Sequence, residues 1–195
     1  MQTSPRVFFL ACCLSTSLSC QADDDKSWLS RQWDAASAEL SDVWIPRWKH
    51  IWADGNSELY LPFKTYHMRW AYTREKIDSY QELPFGLGYG RALYDEKENW
   101  HGLYAMGFQD SHFKPQWMVG YGWKAMCGSR SSWNAGAGYT VFFASRTDIA
   151  NYIPFPSILP IASFGYKKLS IEGAYVPGGK GNGNVVFMWG KWSFL

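Results

Sequence analysis

The sequence predicts an all-β fold: an eight-stranded antiparallel transmembrane β-barrel preceded by an N-terminal amphipathic α-helix. Three observations predict it. The last segment alternates strictly, with Val186, Met188, Gly190, Trp192 and Phe194 on one face and Phe187, Trp189, Lys191 and Ser193 on the other. Such a period of two is the mark of a strand crossing a bilayer. The same rhythm recurs along the chain in segments of about ten residues, the length a tilted strand needs to cross hydrocarbon. Finally, aromatic residues make up 18% of the 195, with Trp, Tyr and Phe at 12 each. Trp and Tyr combine an apolar ring with a polar handle and gather where oil meets water.

Residues 1–22 read as an export signal, with Arg6, an apolar stretch from Val7 to Leu18 and a small-residue exit at Cys20-Gln21-Ala22. Its removal would take Cys12, Cys13 and Cys20 and leave Cys127, so the apparent four-cysteine framework dissolves. Arg6 leaves with it, so the 19 basic residues become 18 against 17 acidic ones. So small a net charge excludes a nucleic-acid binder held by a basic field.

Residues 23–56 form the helix and its lead-in. Trp28 to Trp44 carries Leu29, Trp33, Ala36, Leu40 and Val43 at steps of three and four, a stripe that suits a membrane interface or a protein core equally. Residues 57–195 form the barrel. Strands are expected near 57–66, 85–94, 99–109, 117–126, 133–145, 158–166, 169–176 and 185–194. The gaps between them alternate long and short, as barrel loops and turns do; only 110–116 and 127–132 are nearly equal. No stretch approaches the roughly 20 apolar residues of a spanning helix. The most apolar run, Ile153 to Phe164, is interrupted by Pro154, Pro156 and Pro160.

Parity then gathers residues from distant positions. If the chain enters from the periplasmic side, the first, third and fifth gaps share the outer rim. His67 opens the first, Asp110 and Ser111 the third, and Arg146 the fifth. A base, a carboxylate and a hydroxyl together suit acyl transfer, with His67 removing a proton and Asp110 orienting or charge-stabilising it. Each taken singly reads as a solvated loop residue. His112 is a second candidate base, while His50 and His101 read as structural or interfacial. No paired His, Cys or carboxylate cluster has zinc-ligand spacing.

Several motifs resemble one family. They are Tyr60-Leu61-Pro62, Tyr66-His67, Asp95-Glu96-Lys97, Trp100-His101-Gly102-Leu103-Tyr104-Ala105-Met106, Asp110-Ser111, Gly120-Tyr121-Gly122-Trp123 and Asn151-Tyr152-Ile153-Pro154. Together they resemble the lipid A palmitoyltransferases, the PagP family, over essentially the whole chain after the signal. The resemblance implies an outer-membrane enzyme that moves a palmitoyl chain from a glycerophospholipid to lipid A, with no cofactor and its active rim toward the outer leaflet. It implies His67, Asp110 and Ser111 as the residues required for transfer, and Gly122 as the floor of an acyl pocket inside the barrel. Asp95, Trp100 and Arg146 match further family positions. Pro62 and Pro84 match prolines that keep neighbouring strands apart as a lateral lipid gate, since proline lacks the N–H a ladder needs. A monomer is expected.

An acyl ruler has a physical basis. Each buried methylene is worth about 0.8 kcal/mol, so one or two decide between chains by roughly four- to fifteenfold. The chain departs from the family pattern at His112, where a tryptophan is usual, and at the additional Leu195. The reading that competes is a non-catalytic outer-membrane barrel serving adhesion or membrane integrity.

Overall fold

The computed structural model describes residues 24–147 and 150–194. The expected export signal, residues 1–22, lies outside the described residues. The chain divides after Val43. Before that point lies α1 (Asp24–Glu39), on which Leu29 and Trp33 are exposed. A π-helical turn, Leu40–Trp44, follows.

Helix continues further than the expected end at Trp44, as α2 (Ile45–Asp54). Pro46 falls in its first turn, directly after the π-helical turn. Gly55 N–H closes it on the Ile51 carbonyl at 3.0 Å. It is α2 that packs on the barrel wall. Ile51 is buried, and Trp44 meets Tyr121 edge-on with ring centroids 5.7 Å apart. Arg91 Nε donates to the Gly55 carbonyl at 2.9 Å.

Eight strands close into one antiparallel barrel in sequence order. They are β1 (Asn56–His67), β2 (Gly86–Tyr94), β3 (Trp100–Gln109), β4 (Pro115–Gly128), β5 (Trp133–Ser145), β6 (Phe155–Tyr166), β7 (Leu169–Val176) and β8 (Val185–Ser193). Closure is made by β1 against β8, from Glu58 opposite Ser193 to His67 opposite Val185. Unpaired backbone is costly in hydrocarbon, and closing β1 on β8 removes the two free ends of the sheet. The outside is apolar, with Leu87, Trp117, Val119, Phe143, Ile158 and Ile171 all exposed. Trp133, Tyr166, Trp192 and Phe194 cluster near the short-turn end, Trp133 lying 4.9 Å from Tyr166 and Trp192 4.9 Å from Phe194. This is the aromatic girdle of a membrane barrel.

Two ladders stop short. β1 and β2 pair only from Asn56/Ala92 to Tyr60/Gly88, although β1 runs on through Pro62 to His67. β6 and β7 pair only from Tyr166/Leu169 to Ile161/Ala174, although β6 begins at Phe155. The prolines that interrupt the apolar run therefore do not break this strand, which starts three residues before the expected 158. Pro156 and Pro160 keep their places opposite Phe143 and Tyr139 of β5. They are tolerated because β7 asks no donor of that stretch.

Inside, the barrel has two halves. Toward the long connections, Phe108, Met118, Phe142, Ala144 and Phe187 form an apolar column. Phe187 and Trp189 point inward, as the alternation of β8 requires. The interior is not apolar throughout, however. Toward the short turns, Glu58, Lys124, Glu172 and Lys191 are buried together. Lys191 Nζ lies 3.1 Å from Glu58 Oε1 and 3.0 Å from Glu172 Oε1, and Lys124 also pairs with Glu172. Trp100 lies over this cluster. Its Nε1–H donates to Glu58 at 3.2 Å, and both ammonium groups face its ring, at 4.2 and 4.7 Å.

Removing one member of a buried ion cluster leaves its partner uncompensated. Lys124→Met is expected to destabilise the barrel by about 3 kcal/mol, the low end of that range because Lys191 still serves Glu172. Urea titration of the refolded barrel in detergent would show it as a lowered midpoint.

Candidate active site

Strand parity brings the connections 68–85, 110–114, 146–154 and 177–184 to one end. His67 is the last residue of β1 and is buried at 3% exposure. Its ring stacks on Tyr80 at 4.6 Å and meets Tyr72 edge-on at 5.1 Å. Both tyrosines come from the first connection, which holds a short helix, α3 (Arg74–Asp78), capped by Thr73. That connection is tied on several sides. Thr65 N–H donates to the Glu82 carbonyl at 2.9 Å, and Gln81 N–H to the Ser111 carbonyl at 2.9 Å. Lys76 Nζ reaches the Gly181 carbonyl at 2.7 Å, and Met68 N–H the Asn184 carbonyl at 3.0 Å. Asn184 adopts φ 51° and is itself held by Tyr175.

Ser111 Oγ lies 3.3 Å from His67 Nε2. Residues 44 apart in sequence thus meet as a hydroxyl and a base, the arrangement needed to move a proton from an oxygen. Asp110 stands beside them without a described contact to His67. Its Oδ1 accepts from His112 N–H at 2.8 Å and Lys114 N–H at 2.9 Å, and so fixes the turn that carries Ser111. Its Oδ2 faces Arg146 at 3.7 Å. The carboxylate that meets the His67 ring belongs to another residue. Glu82 Oε1 accepts from His67 Nδ1 at 3.2 Å and from its backbone N–H at 3.3 Å.

Glu82 is the residue that the sequence reading missed. Its one signal was position: of the three acids in the first gap, Glu75, Asp78 and Glu82, it is the last, two residues before Pro84. Burial raises its carboxyl pKa, but hydrogen bonds from Arg69, Lys64 and His67 outweigh this and hold it at about 2.

His112 competes poorly as a base. Its ring is half exposed, touches Tyr80 edge-on at 5.2 Å and lies 3.9 Å from Asp110. Asp95 and Trp100 are not brought to His67 at all. Asp95 sits in the short turn between β2 and β3, where Oδ1 accepts from Lys97 and Asn99 N–H at 2.8 and 2.9 Å. Its Oδ2 meets His101 Nε2 at 3.2 Å, and His101 Nδ1 lies 2.7 Å from the Tyr121 hydroxyl beneath α2.

Gly122 is buried and pairs with Gly102 across β3 and β4. A Cβ at Gly122 would come within 2.8 Å of the Trp100 ring and 3.6 Å of Ile161. The two glycines make the shelf on which the indole lies. Pro62 follows the point where the β1–β2 ladder ends, and Pro84 precedes the start of β2.

Asp110→Ala removes a charged acceptor from two backbone donors, each such bond being worth about 1.5–3 kcal/mol. Amide exchange at His112 and Lys114 is expected to quicken about tenfold or more, as read by NMR of the barrel in detergent micelles.

The family model described as "Antimicrobial peptide resistance and lipid A acylation protein PagP" matches residues 47–191. Among curated relatives, a lipid A acyltransferase PagP of Methylobacillus flagellatus is 46% identical over 170 residues, covering 87% of this chain and 86% of the relative. Another, from Bordetella pertussis, is 44% identical over 167 residues, covering 82% and 91%. A third, from Edwardsiella tarda, is 51% identical over 141 residues, covering 70% and 75%.

Proposed function

The chain belongs to the PagP family, and from that premise we propose that it is an outer-membrane acyltransferase moving a palmitoyl chain from a glycerophospholipid to lipid A. The observation that carries this reading is the pairing of buried His67 with half-buried Ser111 at the apolar end of the barrel interior. The acceptor hydroxyl of lipid A attacks the ester carbonyl of the phospholipid, and His67 Nε2 takes its proton. The carbonyl–oxygen bond to glycerol breaks, and the proton returns to the leaving oxygen. The products are acylated lipid A and a lysophospholipid; no redox partner or cofactor enters the balance. Ser111 binds and polarises the reacting oxygen, while Asp110 and Arg146 hold the turn that presents it.

The acyl chain occupies the apolar half of the barrel and ends on Gly122 and the Trp100 plate. Below that plate the charged cluster of Glu58, Lys124, Glu172 and Lys191 offers no place for a methyl terminus. Lipid enters sideways where β1 leaves β2 beyond Tyr60, beside Pro62 and Pro84. The enzyme acts as a monomer with the His67 rim at the outer leaflet, where lipid A resides.

Lipid A from cells producing the wild type is expected to gain a palmitoyl-sized mass, and lipid A from cells producing His67→Ala is not. If neither gains it, the non-catalytic barrel is the better reading. For the ruler, Gly122→Met is expected to shorten the preferred donor chain by several carbons. The geometry supports this, because even a Cβ there presses on Trp100. Transfer assays with donors of graded length would measure it, and unchanged use of 16-carbon donors would count against the pocket floor.

A further inference from the structure

We propose that Glu82 is a positioning residue of the transfer: it accepts the Nδ1–H of His67 and thereby turns the Nε2 lone pair toward Ser111 and the acceptor hydroxyl. This deepens the acyltransferase reading and rests on His67 being its general base.

The two oxygens of Glu82 are divided between two tasks. Oε2 takes the cations, Arg69 Nη2 at 2.9 Å and Lys64 Nζ at 3.0 Å. Oε1 takes both donors from His67, the ring Nδ1 and the backbone N–H. An acid that only tied the first connection to the barrel would be satisfied by the two cations. Its second oxygen does something else, because it specifies which ring nitrogen carries the proton. A neutral imidazole has one N–H; placed at Nδ1, it leaves Nε2 free to accept from Ser111 at 3.3 Å.

The carboxylate is held for this task. Its side chain is 14% exposed, and its backbone lies between the end of β1, through Thr65, and the Ser111 segment, through Gln81. Glu82 itself touches His67, and its neighbour Gln81 ties the same stretch of chain to Ser111. Tyr80 and Tyr72 fix the plane of the imidazole but leave its tautomer undetermined. Asp110 cannot set that tautomer, with Oδ1 given to two backbone donors and Oδ2 turned to Arg146 and His112. Arg69 and Lys64 keep Glu82 ionised through neutral pH, so it remains an acceptor.

Glu82→Gln separates alignment from loop-holding. The amide has one carbonyl oxygen, and two cations compete for it. Its NH2 then faces Nδ1 as a donor, which forces the proton to Nε2 and blocks the base. In mixed micelles of phospholipid and lipid A, the kcat of this variant is expected to fall about a hundredfold, the low end of what an oriented base contributes. KM for the donor should stay within about twofold, because no binding contact is lost. Nitrogen-15 spectra of the imidazole should show His67 as the Nδ1–H tautomer in wild type and not in the variant.

Glu82→Asp keeps the charge but withdraws it from the ring, and should lie between the two. It also covers failure of the first variant to fold, which heat-modifiable migration would reveal. A kcat within about twofold of wild type, or slow transfer with the His67 tautomer unchanged, overturns the proposal and leaves Glu82 a loop anchor. Wild type and His67→Ala are run alongside. A wild type that transfers nothing sinks the acyltransferase reading, while the tautomer comparison still decides the part assigned to Glu82.

Discussion

Closure of β1 against β8 is the constraint on which the rest depends. A strand in hydrocarbon must satisfy its backbone on both sides, and β1 does so differently along its length. On the β8 side its ladder reaches His67, with one register shift between Pro62 and Lys64. On the β2 side it stops at Tyr60, seven residues earlier in the chain. Over that upper stretch, part of the vacated edge is met by the first connection, with Thr65 N–H bonding to the Glu82 carbonyl. One unpaired edge thus explains two things at once. It leaves an interruption in the wall, and it draws a loop carrying Tyr72, Tyr80 and Glu82 against the end of β1. The surroundings of His67 are a consequence of how β1 gives up its second partner.

The interior follows from size. Eight strands enclose a space that side chains just fill. The choice of filler therefore sets the character of each half. Bulky apolar residues occupy the half nearest His67, and four charges with Trp100 occupy the other half. A buried ion cluster of this kind adds little net stability, because desolvation consumes most of the attraction. Its value lies in the position it gives Trp100, held by Glu58 from one side and by two ammonium groups on its ring. Gly102 and Gly122 let the indole lie flat on the wall, so the boundary between oily and charged halves is one aromatic plate.

The division of labour among the carboxylates is an outcome of geometry. Asp110 is adjacent to Ser111 in sequence, which makes it the natural candidate to orient the base. That adjacency gives its oxygens other partners. An acid opening a five-residue connection finds the backbone N–H groups of its own turn first, at His112 and Lys114. Asp95 does the same in its own turn at the opposite end, with Lys97 and Asn99. Glu82 sits opposite a strand end belonging to another segment and has its Oε1 free for the imidazole.

By itself the sequence determined the strand rhythm, because alternation records which face of each strand meets lipid. It also placed His67, Asp110, Ser111 and Arg146 on one rim, because parity in an up-and-down barrel follows from counting strands. It carried the family motifs. Other features were decided only by tertiary structure. Helix continued past Trp44 because α2 packs Trp44 and Ile51 on the barrel, and β6 kept its prolines because β7 pairs with only part of it. Asp95 and Trp100 went to the far half of the barrel. Glu82 met His67 because a ladder ended early and a connection filled the gap. Local pattern records which side of a strand is oily; which side chains face each other across an unpaired edge depends on where the ladders end, and that is a property of the closed barrel.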